Sequence, residues 1–414
     1  MGPIVVFDKS FLQSLNVDES VWFDKFFNTV IVPYFYVETL ADLSKSPKRN
    51  KSAEEEVSII AEKTPEQSST PTSYHIDLLI NDLLGNTIET DGRPHLPGGT
   101  TVKSDGKIGV NFKLTPEHIA FSRWMDGDFY NVEKDAAGIW RKAVSELNFD
   151  NYEDDLLKNS IDYKSCKNLE DASLMAKEFV NKELDNIYYL VKLIFDSFPI
   201  PTIFHQQILF YLASNSKKRL SLKNLAPYAA YILSVEVFFK ISIVRGFISK
   251  DRKSNKIDIS YLYYLPFGMI FVSSDKLHKK CALLFLNSNQ EFIWGQDLKK
   301  GLKEINEYYL ALPDEIKEKG LFTIASAPPK DKKFLVSRIW AKYMNFDFNV
   351  EDEEIIERNP KKDKDLLDKL KRMHSGEEVE GFELLGSSPD FINMEKSIRK
   401  KKGSWYQLPK DFEG

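Results

Sequence analysis

The chain reads as an α/β protein built on a short parallel sheet, and three stretches predict it. Ile4-Val5-Val6-Phe7 is an uninterrupted apolar run rich in β-branched residues, as expected of a strand covered on both faces. A second such run, Thr29-Val30-Ile31-Val32, returns after helical spacing through Phe11, Leu12, Leu15, Val21, Trp22, Phe26 and Phe27. A third, Met269-Ile270-Phe271-Val272-Ser273-Ser274-Asp275, comes more than half the chain later.

Taken in order, Pro33 ends the second strand, and Tyr36 to Leu43 reads as a helix on which Glu38 and Asp42 share a face. Residues 45–73 are rich in Lys, Glu, Ser, Thr and Pro and predict an exposed linker or loop. Between Thr87 and Leu114 two Asp-Gly pairs and Pro-Gly-Gly punctuate β-like runs, which predicts a hairpin or small sheet. Helical patterns follow from Pro116. Leu169 to Phe198 predicts one long amphipathic helix carrying Leu174, Phe179, Leu184, Ile187, Leu190, Val191 and Ile194. A further helix runs over 203–213, and Leu222 to Ile248 predicts one central apolar helix. Asp258 is placed as the cap of the helix that follows. Beyond Gln296 a helix presents Leu298, Leu302, Ile305, Tyr308 and Tyr309 on one face. The tail is charged: an acidic run at 351–354, then a basic run at 396–402 leading into Trp405 and Tyr406, read as a surface tail or docking segment.

The 414 residues exceed a minimal domain, and 29 Phe with 18 Tyr supply a large aromatic core. With 57 basic against 62 acidic residues the net charge is −5, which gives no support to wrapping nucleic acid by bulk charge; a local basic patch still suffices for a nucleic-acid enzyme. The two cysteines, Cys166 and Cys281, permit at most one disulfide and no cysteine zinc site. Asp8 and Lys9 interrupt the N-terminal apolar run too early for a secretory signal. No run is read as long enough to span a bilayer, since the best, Tyr228 to Phe239, contains Glu236 and is followed by Lys240. The expectation is a cytoplasmic protein with no membrane partner.

Four carboxylates stand out by position: Asp8 closing the first strand, Glu38 on the proline-led helix, Asp258 opening a helix, and Asp275 closing the late strand 17 residues on. Singly, each is an ordinary turn, cap or solvated-face residue. Together with Phe7-Asp8-Lys9-Ser10-Phe11-Leu12 and Val272-Ser273-Ser274-Asp275 they resemble the acidic signature of PIN-domain nucleases. The resemblance covers roughly residues 1–45 and 222–295. It implies a PIN-like catalytic domain split by a mainly helical inserted region with a β-hairpin over 46–221, followed by a C-terminal region over 296–414. A PIN domain is usually compact, so that gap is a departure from the family pattern.

The implied activity is a hydrolase: a metal-dependent nuclease, an endoribonuclease in preference to a DNA nuclease. Asp8, Glu38, Asp258 and Asp275 would hold Mg²⁺ or Mn²⁺, supported by Ser10, Asp42 and Ser273. Elementary chemistry agrees. Ligands of open α/β sheets sit beyond the carboxyl ends of the strands, where Asp8 and Asp275 fall. Converging carboxylates repel unless a cation neutralises them, and hard oxygens favour Mg²⁺ or Mn²⁺. Such ions activate water and stabilise in-line attack on a phosphodiester. Arg252, Lys253 and Lys276 are the substrate-binding candidates, within a wider basic group of Arg245, Lys250, Lys256, Lys279, Lys280, Lys48, Arg49 and Lys51. The histidines show no metal-ligand spacing; His205 reads as a core histidine, and only His278 falls near the acids. Alternatives are a PIN-like RNA-binding or scaffold protein without cleavage and a structure-specific DNA nuclease. A protein partner or homo-oligomer is left open.

Overall fold

In a computed structural model, residues 2–46, 51–182, 187–215, 221–348, 360–379 and 389–412 are described. The strands, in chain order, begin with β1 (Ile4–Phe7), β2 (Asn28–Ile31) and β3 (Ser69–Pro71). They continue with β4 (Thr100–Ser104) and β5 (Lys107–Phe112), then β6 (Ile270–Ser273) and β7 (Glu291–Trp294). Among the described residues, β3-β2-β1-β6-β7 form a five-stranded sheet, parallel throughout. The α/β expectation and the parallel sheet flanked by helices therefore hold. This architecture is compatible with a PIN-like fold.

Burial explains the sequence texture of the central strand. Val5, Val6 and Phe7 are wholly buried, because β1 is flanked by strands and covered by helices. Phe7 meets Phe23 and Phe35 edge-on at 5.5 and 5.3 Å, with Phe23 on the helix Val17–Phe26 and Phe35 on the helix Pro33–Ala41. Gly268 leads into β6, and a Cβ there would lie 2.7 Å from Val6 Cγ2, so only glycine lets the chain enter beside β1.

Several expectations are corrected. Among its described residues the stretch 45–73 is no exposed linker: Ala53–Lys63 is a helix with a Ser52–Glu55 capping box, its Val57, Ile60 and Ala61 are buried, and β3 completes an edge of the sheet. The charged texture reflected the helix's outer face. The long helix predicted over 169–198 consists, among described residues, of Leu169–Asn181 and Tyr188–Ser197; Leu174 is exposed, and Leu184 lies outside the described residues. The central helix begins at Pro227, after a short turn Leu222–Leu225, and ends at Val244. By length and composition this 18-residue helix could cross a membrane, contrary to the sequence reading, but 83% of it is buried inside the protein. Glu236 and Lys240 on it are paired to Lys256 and Asp155.

Around Trp405 the tail is not a free surface segment. Trp405 is 1% exposed and packs edge-on against Trp22 at 4.8 Å. Both indoles donate to Asn306 Oδ1 at 2.8 Å, and Trp22 also stacks on Tyr309 at 4.4 Å. Tyr308, its neighbour on the helix Gly295–Leu310, is exposed rather than on the buried face. The acidic run at 351–354 lies outside the described residues. The hairpin is borne out: β4 and β5 pair antiparallel across Asp105-Gly106, both at positive φ, as a two-residue turn demands. Both cysteines are free and buried.

Candidate active site

The sheet reverses its order at β1: β2 and β3 continue to one side, β6 and β7 to the other. Open α/β sheets bind ligands at such a switch point, beyond the carboxyl ends of the strands. Asp8 follows β1 there, and Asp275 follows β6.

Asp8 caps the helix Lys9–Ser14, its Oδ1 accepting from the Phe11 N–H at 3.0 Å. Its Oδ2 accepts from Ser10 Oγ at 2.6 Å and Ser273 Oγ at 2.8 Å. Both serines thus orient the carboxylate, as the sequence suggested. His278 Nδ1 lies 3.4 Å from the same oxygen and 2.8 Å from Ser273 Oγ. The Ser273 hydroxyl proton goes to Asp8, so Nδ1 must carry its own. Nε2 faces the Asp258 carbonyl at 2.5 Å, which only accepts, so it is protonated too. The ring is therefore an imidazolium. Burial opposes that charge, yet the bond and charge of Asp8 outweigh it and lift His278 to about 9. Burial would raise Asp8, but His278 and the hydrogen bonds hold it below its ordinary value.

Asp275 caps the helix Lys276–Cys281 through the Leu277 N–H at 2.6 Å. Asp258 does not cap. It lies within the helix Asn255–Ser260, whose preceding residue is Ser254, and this corrects the expected role. Inside the first turn its carboxylate is free to face Asp275. Arg252 joins the two, with Nη2 at 3.1 Å from Asp258 Oδ2 and 3.5 Å from Asp275 Oδ2. Burial pushes Asp258 up to about 7, with Asp275 and Glu38 adding to it against His278 and Arg252. Glu38, on the helix Pro33–Ala41, accepts from the Tyr261 hydroxyl, and burial raises its carboxyl despite Lys9 and that bond. Asp42 binds Lys9 at 3.0 Å and Lys45 at 2.5 Å, while Lys9 also donates to the Glu38 carbonyl at 2.9 Å. Asp42 is thus a lysine anchor one step behind Glu38.

The basic candidates divide. Arg252 is at the acids, and Lys276 is exposed at the start of the helix after Asp275. Lys253 instead rests 4.4 Å from the Phe149 ring centroid. Lys256 is held by Glu236 and Tyr263, and Arg245 donates to the Cys166 carbonyl. Lys48 and Arg49 lie outside the described residues. His205 is half-buried, its ring stacked on Phe195 at 3.9 Å. The side chains at these carboxylates that sequence reasoning underweighted are His278 and Tyr261; the one signal was His278 standing three residues past Asp275.

The oxygen-rich donors suit a hard divalent cation in kind, and a guanidinium already stands between Asp258 and Asp275. Among the described residues, however, no three His, Cys, Asp or Glu side chains form a ready-made metal-holding group. Arg252 is 58% exposed, whereas His278 is buried. Of the four carboxylates, Asp258 and Asp275 are the two that share one cation, the Arg252 guanidinium. No family model, no curated protein and no solved structure matches the chain.

Proposed function

We propose that the protein is a metal-dependent nuclease that hydrolyses phosphodiesters, RNA in preference to DNA, at Asp8, Glu38, Asp258 and Asp275. The observation that carries this reading is the Asp258–Arg252–Asp275 arrangement: two partly buried carboxylates sharing one exposed guanidinium, at the switch point of a parallel sheet. Asp258 and Asp275, with Glu38, would hold Mg²⁺ or Mn²⁺, which when bound supplies an activated water and neutralises phosphate charge. The chain's own residues set the frame. Ser10, Ser273 and His278 fix Asp8, Tyr261 holds its hydroxyl proton on Glu38, and Lys9 ties the helix it opens to the Glu38 carbonyl and to Asp42 at the end of the Glu38 helix. Arg252, once displaced, presents a planar fork to a phosphate, with Lys276 exposed nearby.

The test is Mn²⁺-dependent cleavage of single-stranded RNA, single-stranded DNA and branched DNA. Asp258→Asn and Asp275→Asn are expected to lose activity by about 100-fold or more while keeping the wild-type circular dichroism spectrum. Unchanged activity overturns the reading. One observation favours a second: His278 and Arg252 already neutralise part of the acidic group without any metal. That suits a nucleic-acid-binding protein without cleavage, and tight RNA binding with no cleavage in any divalent cation would select it.

A further inference from the structure

Capping the helix Lys9–Ser14 occupies only one oxygen of Asp8, Oδ1. The other, Oδ2, meets Ser10 Oγ, Ser273 Oγ and His278 Nδ1, and each of these side chains reaches on to a backbone group at the acids. Ser10 Oγ accepts from the Ser274 N–H at 3.2 Å. Ser273 Oγ accepts from the Asp275 N–H at 2.9 Å. His278 Nε2 donates to the Asp258 carbonyl at 2.5 Å. A single carboxylate on β1 thus stands one side chain away from the main chain of both Asp258 and Asp275. The arrangement is also closed to solvent, with Asp8 at 4%, Ser273 at 0% and His278 at 1% exposure. Three donors crowd Oδ2, which has two lone pairs. Oδ1 keeps one lone pair free, but Mg²⁺ retains several waters when bound and finds no room for them at so buried a side chain. Among the described residues Asp8 does not join Asp258 and Asp275 in one metal-holding group.

We propose that Asp8 is the positioning residue of this site: it contacts no cation, and through Ser10, Ser273 and His278 it holds the main chain that carries Asp258 and Asp275. The proposal rests on the nuclease reading and deepens it, separating the acid that builds the site from the two that face its cation. Arg252 ties the same two carboxylates at their side chains, from an exposed position. The tie through Asp8 is buried and acts on the backbone, so it does not depend on which cation lies between them. Holding ligand groups in place by buried hydrogen bonds of this kind is what preorganises a site. The two hydroxyls suit the task because each accepts one N–H and donates its own proton to Asp8. Alanine at either position therefore breaks both bonds of that link at once.

Two measurements test this. Hydrogen–deuterium exchange read by mass spectrometry follows the positioning in the full chain without any metal. In Asp8→Asn the peptide over 270–278, which holds the Ser274 and Asp275 amides, is expected to exchange about 10-fold faster, while the helix Pro227–Val244 keeps its wild-type rate. Ser273→Ala should act on the same peptide to a similar extent, and it carries the test if Asp8→Asn does not fold. The double variant should add little to either single one, because both act through one link. An even rise in exchange across the whole chain makes Asp8 a merely structural residue and overturns the proposal. Ligation is read with Cd²⁺, whose thiolate complexes absorb in the ultraviolet by charge transfer, against the wild type with its two buried cysteines as the blank. Asp258→Cys and Asp275→Cys are expected to develop that absorbance, and Asp8→Cys to develop none. Absorbance in Asp8→Cys makes Asp8 a ligand and overturns the proposal while leaving the nuclease reading standing. Unchanged exchange at 270–278 in both Asp8→Asn and Ser273→Ala overturns it too. The expected exchange pattern with no absorbance in any of the three cysteine variants keeps the positioning role and overturns the metal reading alone.

Discussion

His278 Nδ1 stands 3.4 Å from Asp8 Oδ2, although the two residues lie 270 positions apart, and Ser273 bonds to both. The ion pair is almost wholly buried, and it fixes the end of β1 against the helix that follows β6. Removing one partner of such a pair leaves a buried charge uncompensated, which costs far more than the pair gains. His278→Ala should lower unfolding free energy by about 3–5 kcal/mol in urea titrations at pH 7. A loss under about 1 kcal/mol would show that solvent reaches Asp8 freely.

Arg252 bridges Asp258 and Asp275 from an exposed position, so its stabilising effect on the metal-free protein should be small, below about 1 kcal/mol. Under the nuclease proposal it also competes with a cation for the same two carboxylates. Arg252→Ala should therefore bind Mn²⁺ several-fold more tightly by isothermal titration calorimetry. It should at the same time bind RNA less tightly. Weaker Mn²⁺ binding in the variant would place the cation elsewhere.

His75 is buried among Tyr34, Tyr263 and Tyr264, and burial, aided by Lys256, lowers it to about 3 from an unfolded value near 6.5. Between those values the unfolded chain binds the extra proton, so this contribution is intact above pH 6.5 and falls as pH drops toward 3. The unfolding free energy should decline with a limiting slope of about 1.4 kcal/mol per pH unit from this residue. His75→Phe should flatten that part of the profile. An unchanged profile would mean that His75 is not protonated on unfolding.

Asp82 caps a helix to which it does not belong. Its Oδ2 accepts from the Ala229 N–H at 2.9 Å, at the start of the helix Pro227–Val244, whose own cap position is Ala226. Its Oδ1 accepts from the Ile88 N–H at 3.3 Å. Asp82→Ala orphans these buried donors and should cost about 2 kcal/mol in chemical denaturation, and Asp82→Asn, which keeps an acceptor, distinctly less. Equal costs for the two variants would show that charge, not the hydrogen bonds, sets the effect.

Local physics made much of the sheet legible. Apart from Thr29 and Ser273, Ile4 to Phe7, Thr29 to Ile31 and Ile270 to Ser273 are apolar because strands covered on both faces must be, and that pattern needs no knowledge of partners. The Asp-Gly turn at 105–106 was readable for the same reason: its backbone geometry is set by two residues. The edge strand β3 was missed because it is three residues long and ends in proline, so it is a strand only beside β2. The helix Ala53–Lys63 was taken for a loop because its polar face outnumbers the few buried residues that hold it.

For the site, the sequence by itself determined which carboxylates terminate β1 and β6, since Asp8 and Asp275 are fixed by the strands they follow. It also determined that Glu38 rides a proline-started helix. Only the tertiary structure decided what these acids meet. The imidazolium on Asp8, the guanidinium between Asp258 and Asp275 and the tyrosine on Glu38 all come from residues distant in the chain or on other elements. A strand end is dictated by the few residues around it. The charge state of a carboxylate is dictated by every group within a few ångströms, and folding alone brings those groups together.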